Sequence, residues 1–348
     1  MISPADRRTD KGDDFPPVTV VISTRNRGER IAETIQTILL NDYPDFEVRV
    51  IDQSDGDATA VAIKKFLNDP RFLYVRTTSR GLSAGRNLGI QGARNELVAI
   101  TDDDCRTPVD WLRELAFAFG ADHRIGVVFG NIYPGPYDSG RGFIISYRRK
   151  ESFLARSIHD KHRVECLAGC MGVRKSAWQA LGGFDELLGA GAPFRAAEEL
   201  DFTIRALMAG YYVYESPAFS VSHLGFRTVE QGRTIISWYL FGIGAAFGKH
   251  LMYRPWTILF LLFRLAGRWA FSHPRVDFGR HPPRWLRLRA FVRGLLAGAI
   301  HPMDPATGLF APPAGGRQSI ESGASRAGSD FETENPDRVK WQSSGAKS

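Results

Sequence analysis

Asp102-Asp103-Asp104 is the sharpest chemical feature of this 348-residue chain. Adjacent carboxylates repel one another unless a cation holds them. In an extended segment, side chains two residues apart share a side, so Asp102 and Asp104 could offer hard oxygen ligands to Mn2+ or Mg2+, directly or through water. The other reading is a solvated acidic turn capping a helix that begins near Pro108, because Asp favours helix N-termini. The position of the triplet, straight after the apolar run 97–101 and facing Arg86, tilts the balance towards metal. A second acidic set, Glu198-Glu199-Leu200-Asp201, opens a helical pattern whose buried face is Leu200, Ile204, Leu207 and Met208. Carboxylates there could take a proton from an attacking hydroxyl, or simply complement the helix dipole.

The elements that must position these groups alternate in type. Short β-branched runs at 18–23, 46–52, 72–76 and 97–101 read as buried strands, and helical patterns lie between them. Strand–helix–strand order implies parallel pairing with right-handed crossovers, an open α/β sheet. Ligands bind such sheets at the carboxyl ends of the strands. Those ends are polar here: Ser23-Thr24-Arg25-Asn26-Arg27, Asp52-Gln53-Ser54-Asp55 and the Asp triplet, with Arg80 to Asn87 before the third helix. Four such clusters on one rim describe a binding site. Neither a Gly-x-Gly-x-x-Gly fingerprint nor a phosphate loop is present, which argues against a dinucleotide dehydrogenase or an NTPase.

Composition bounds the partners. With 45 Lys+Arg against 38 Asp+Glu the net charge is +7, which favours an anionic partner. Cys105, Cys166 and Cys170 cannot form a disulfide framework and have no zinc-finger spacing, so a reduced, cytoplasmic compartment is expected. Residues 1–15 carry mixed charges without an apolar core, neither a signal peptide nor an anchor, and 312–348 read as a disordered tail. Between 226 and 300 the composition becomes basic and apolar. The stretch 235–248 lacks charge but is short for a bilayer span, and the run 256–263 is followed by Arg264, Arg268, Arg275, Arg280, Arg284, Arg287, Arg289 and Arg293 against one acid, Asp277. That pattern fits a helical extension lying on anionic lipid at the inner face of the cell membrane, or a helical lid packed on the catalytic domain.

Seven motifs in register carry a resemblance. Residues 18–27, Val50-Ile-Asp-Gln-Ser54, Gly81-Leu-Ser-Ala-Gly-Arg-Asn-Leu-Gly89 and Thr101-Asp-Asp-Asp-Cys105 are followed by Ala168-Gly-Cys-Met-Gly-Val-Arg174, Leu181-Gly-Gly-Phe-Asp-Glu186 and Ala197-Glu-Glu-Leu-Asp-Phe202. Together they resemble the family 2 glycosyltransferases, over roughly residues 16–225. The resemblance implies an α/β GT-A fold, Rossmann-like, with a mixed, mainly parallel sheet flanked by helices. It implies an enzyme that moves a sugar from a nucleotide-diphosphate donor to an acceptor hydroxyl, with inversion. Thr24, Arg25, Asp52, Arg86, Asn87 and Asp103 would line the donor site, Thr24 and Asp52 at the base and ribose. Asp102 and Asp104 fit the family's Asp-x-Asp motif, binding the diphosphate through Mn2+ or Mg2+. In related enzymes a His near the position of His223 completes the metal site, although a lone His is more often a hydrogen-bonded structural residue. The second acidic residue of the Glu198-Glu199 motif is the family's base, commonly Asp, so Glu199 is the first candidate, with Glu198 and Asp201 behind it. The family commonly has a second Asp where this chain has Gln53, which weakens inference about the base of the donor.

The expected acceptor is a saccharide or lipid-linked hydroxyl in polysaccharide or glycolipid synthesis, with no nucleic-acid partner. A sugar nucleotidyltransferase would want a Gly-rich phosphate loop where this chain has Thr24-Arg-Asn-Arg27. A non-catalytic basic module for lipid or nucleic acid would bind salt-sensitively without turnover. Arg86 as a surface salt bridge, Asp52 as a strand-end turn residue, Trp178 and Phe184 as core or acceptor platform, and the cysteines as core packing complete the competing readings.

Overall fold

The computed structural model describes residues 15–271, 276–277 and 283–311. The expected disordered segments fall almost wholly outside these residues, as do Arg275 and Arg280. Nine α-helices are described: α1 Gly28–Leu39, α2 Ala58–Ile63, α3 Leu82–Gln91, α4 Trp111–Gly120, α5 Lys175–Ala180, α6 Glu198–Met208, α7 Val229–Tyr253, α8 Pro255–Phe271 and α9 Arg284–Ile300. The strands are β1 Val18–Thr24, β2 Phe46–Asp52, β3 Phe72–Arg76, β4 Leu97–Asp102, β5 Cys105–Arg106, β6 Ile125–Pro134, β7 Gly142–Ile144, β8 Ser146–Tyr147, β9 Phe153–Ala155, β10 Cys170–Arg174, β11 Tyr212–His223, β12 Phe226–Thr228 and β13 Val276–Asp277.

The main sheet runs β13-β8-β6-β10-β4-β1-β2-β3, and β11 joins it alongside β6. The first four strands are mutually parallel, with Thr24 opposite Asp52 and Ser23 opposite Asp102, so their carboxyl ends share one rim. β10 then inserts antiparallel between β4 and β6, making the sheet mixed. Val20, Ile22, Val48 and Val50 are fully buried between the sheet and α1, while Val21, Val98 and Ile100 face the opposite layer with Phe184 and Phe202.

The glycines of the motif 81–89 set how closely α3 approaches the sheet. A Cβ on Gly89 would lie 2.4 Å from Cγ1 of Val21, and one on Gly85 would lie 2.7 Å from Oγ of Ser23. Gly81 enters the helix at φ +101, a left-handed conformation that favours glycine. The close approach carries Arg86, between the two packed glycines, into the interior below the rim.

The helical extension packs on this core. α7 and α9 meet backbone to backbone: a Cβ on Gly244 or Gly248 would strike the carbonyl oxygen of Phe291 or Leu295 at 2.2 and 2.1 Å. Gly294 and Gly298 stand in the same relation to Phe241 and Ala245. The uncharged stretch 235–248 therefore serves helix–helix contact, the small residues admitting close backbones. No helix among the described residues is long and apolar enough to cross a membrane.

Candidate active site

The rim is cross-tied by charge. Thr24 Oγ1 donates to Asp103 (2.7 Å), and one guanidinium nitrogen of Arg27 donates to Asp103 (2.8 Å) and Asp104 (3.1 Å). β4 stops at Asp102, a turn passes through 103–104, and β5 then pairs with β11, setting Cys105 opposite His223. The turn, not alternation along an extended strand, brings Asp102 and Asp104 together, which corrects the expected local geometry. Asp102, Asp104 and Cys105 offer atoms that lie within 4.8 Å of one another and could hold a metal ion. Burial alone would raise the pKa of Asp104, but His223 and Arg27 outweigh it and hold the carboxyl at about 2. Burial pushes the Cys105 thiol well up, so it stays protonated at neutral pH and is a poor ligand. The remaining donors are hard carboxylate oxygens, which suit a divalent cation such as Mn2+ or Mg2+. His223 Nε2 lies 3.2 Å from Asp104, while its Nδ1 donates to the carbonyl of Ile145 at 3.0 Å.

Arg86 is not a surface salt bridge. It is 2% exposed and joins the two acidic motifs, donating to Glu198 at 2.7 Å and to Asp102 at 3.1 Å. Burial would lower its pKa, but Glu198 and Asp102 outweigh burial and raise it.

α6 begins after Ala197, whose φ of +72 is left-handed and costs a non-glycine residue about 1–2 kcal/mol. The chain turns there so that Glu198 and Glu199 face inward, whereas acids that merely complement a helix dipole would stand in solvent. A cavity of about 80 Å³ is lined by Arg86, Asp102, Gly169, Glu198, Glu199, His223 and Tyr239, among others. Oε2 of Glu199 is buried without a hydrogen-bond partner. Burial first, and the neighbouring Glu198 second, push this carboxyl well above the usual carboxylate range. A carboxylate so placed is a proton acceptor suited to neutral pH.

Asp201, expected as a possible base, faces away from this cavity. It is fully buried in ion pairs with Lys249 (2.6 Å), His250 (2.7 Å) and Arg205 (2.9 Å). Burial would raise its pKa, but Lys249 and Arg205 outweigh it and hold the carboxyl far down. Asn87, expected at the donor, is also otherwise engaged: its amide donates to Phe184 and Glu186 and accepts from Trp178 and Phe184. It fastens the loop 183–186 to α3. Phe184 is buried in the core, and the indole of Trp178 is tied to Asn87, so neither forms an open platform. Asp52 is fully buried, accepting from the Ser54 amide (2.9 Å) and the Tyr74 hydroxyl (2.7 Å), the contacts of a strand-end turn. Arg25 pairs with Asp55 at the surface. Cys170 is fully buried; Cys166 is half-buried against Thr203.

Sequence reasoning missed Arg27, Tyr239 and Lys249. Arg27 lay inside a polar cluster singled out for its position, so its role was within reach. Tyr239 comes from α7, far along the chain, and no spacing rule points to it. Burial and the nearby charge of Glu199 raise its hydroxyl above the ordinary phenol range.

Residues 19–182 match the family model described as Glycosyl transferase family 2. Among curated relatives, the succinoglycan biosynthesis protein ExoO of Rhizobium meliloti (strain 1021) is 34% identical over 104 residues, 30% of this chain and 30% of that one. Glycosyltransferase AglE of Haloferax volcanii is 27% identical over 157 residues, 41% of this chain and 50% of that one. The chain spans half or less of the length of these relatives. Among solved structures, TarS 1-349 of S. aureus in complex with UDP-GlcNAc superposes with a TM-score of 0.53 at 18% identity, covering 74% of this chain and 73% of that one. The mannosyltransferase PcManGT from Pyrobaculum calidifontis, in complex with GDP-Man and Mn2+, gives 0.51 at 20% identity, covering 82% and 86%. At such identities the likeness establishes the fold. Residues 19–182, just under half of the chain, are similar to glycosyl transferase family 2, and the fold is GT-A.

Proposed function

We propose that this protein transfers a sugar from a nucleotide-diphosphate donor to an acceptor hydroxyl with inversion, in the synthesis of a polysaccharide or glycolipid. One observation carries the reading: the unpartnered carboxylate oxygen of Glu199 shares a cavity with Asp102 and Arg86. Glu199 takes the proton of the acceptor hydroxyl as its oxygen attacks the anomeric carbon, opposite the departing diphosphate. Arg86 donates to Glu198 and holds it in an ion pair, while Glu199, buried beside it with a raised pKa, is the carboxyl that binds the proton. Arg27, half-exposed beside Asp103 and Asp104, meets the charge that grows on the leaving group. A divalent ion on Asp102 and Asp104, Mn2+ or Mg2+, supplies further charge compensation when bound. Thr24 and Asp103 shape the donor pocket from the rim.

The acceptor belongs with saccharides or lipid-linked saccharides, and the enzyme works against an anionic membrane surface on its cytoplasmic side. α8 and α9 expose Trp256, Leu259, Phe263, Trp285, Leu288 and Ile300, while α9 carries four arginines and no acid. Apolar residues beside unbalanced arginines suit anionic lipid.

A panel of nucleotide sugars, assayed for transfer and hydrolysis with and without Mn2+, tests the reading. Turnover of one donor that disappears with EDTA, with Asp104→Ala and with Glu199→Gln is expected. No turnover and no thermal shift across the panel would overturn it. Separately, sedimentation with phosphatidylglycerol vesicles is expected to fall sharply for Trp256→Glu/Phe263→Glu; equal binding would remove the membrane part.

A further inference from the structure

The side of α6 away from the cavity holds a second charged cluster that the transfer reaction does not use. Lys249 of α7 lies 2.7 Å from Asp185 and 2.6 Å from Asp201. Arg205, four residues after Asp201, also donates to the carbonyls of Leu181 (2.6 Å) and Gly183 (2.8 Å), and the backbone amide of Phe310 donates to Asp185 (2.8 Å). All five side chains, His250 included, are at least nine-tenths buried. Burial holds His250 neutral despite Asp201, so two carboxylates face two cations and the cluster is balanced. Removing one partner from such a cluster leaves a buried charge uncompensated.

The geometry of the cluster matters for what lies across the helix. Asp201 follows Glu199 by two residues, within the same helical turn. The segment entering that turn runs through Arg195 and Ala197, both left-handed, so the entry itself is strained and needs an outside hold. Lys249 supplies one from a separate helix, and the same helix lends Tyr239 to the cavity.

We infer that Lys249 is a positioning residue: from α7 it clamps Asp201 and the loop at Asp185, fixing the turn of α6 that aims Glu199 into the cavity. This makes the helical extension part of the catalytic machinery. The inference rests on the transferase reading for its effect on turnover, but the clamp itself has a readout independent of activity.

The test compares the full chain with Lys249→Met and with the charge-balanced pair Lys249→Met/Asp185→Asn. For Lys249→Met, amide hydrogen exchange across residues 198–208 is expected to rise at least about tenfold. A displaced catalytic group costs on the order of 100-fold, so kcat is expected to fall by that order while the Kd for the donor stays within about twofold. The balanced pair should recover the melting temperature but not kcat, because the link to α7 is still missing. Unchanged exchange in Lys249→Met, or kcat that returns in full with the melting temperature, would overturn the clamp. A wild-type chain that turns over no nucleotide sugar while exchange responds as expected would defeat the transferase reading and uphold the clamp.

Discussion

Glu199 and Asp201 stand two residues apart on one helix, yet their surroundings are opposite. Glu199 enters the cavity with an oxygen that meets no partner, and its pKa is driven up. Asp201 enters a cluster where three basic side chains surround it, and its pKa is driven down. Both are acids in the first turn of α6, so helix-dipole arguments treat them alike. The difference comes from what tertiary packing brings opposite each one. In the proposed reaction the group that takes the proton is left unsatisfied until substrate arrives, whereas a structural charge is matched on every side.

The comparison can be broken from either end. The largest effect on activity is expected from Glu199→Gln, which keeps the shape but removes the proton acceptor: kcat should fall roughly 10²–10⁴-fold. Because an unpaired buried carboxylate is costly, the melting temperature of this variant should hold or rise, as differential scanning fluorimetry would read. Asp201→Asn should do the reverse to stability, costing about 3–5 kcal/mol in chemical denaturation by stranding Lys249.

The two acids also differ in pH response, with opposite signs. A base with a raised pKa is protonated at mildly acidic pH, so kcat should climb with pH beyond the ordinary carboxylate range, an acid limb that Glu199→Gln lacks. Asp201 has a depressed pKa, so its stabilising contribution is complete above the unfolded carboxylate value of about 3.9 and fades as pH falls below it. The stability gap between wild type and Asp201→Asn should therefore narrow in acid. The smallest effect belongs to the other half of the site: Gly89→Ala, pressing on Val21, should cost about 1–3 kcal/mol and shift Arg86 slightly, raising the KM for the donor more than it lowers kcat.

Legibility in the sequence followed the range of the contacts. The parallel strands, their polar ends and the motifs around Arg86 and the Asp triplet were readable because side-chain placement at a strand end follows from backbone order. The bridge between Arg86 and Glu198 spans 112 positions, yet each end was visible within its own motif. Choosing among Glu198, Glu199 and Asp201 was not possible from spacing, because Lys249 and His250 lie on a helix with no motif of their own. The uncharged stretch of α7, short for a bilayer span, lies in an extension whose composition fitted either a lipid surface or packing on the catalytic domain. Its glycines meet the backbone of α9, and apolar composition alone does not distinguish these two surroundings. Asn87 looked like a rim residue by adjacency to Arg86, but one step along a helix rotates a side chain by about 100°, enough to turn it towards the loop at Phe184.

The four facing glycines of α7 and α9 have a mechanical consequence. Where main chains touch without intervening side chains, there is no cushion to absorb displacement, and the two rods tilt together or not at all. A load on the outer arginines of α9 is passed undamped to the helix that carries Tyr239 and Lys249.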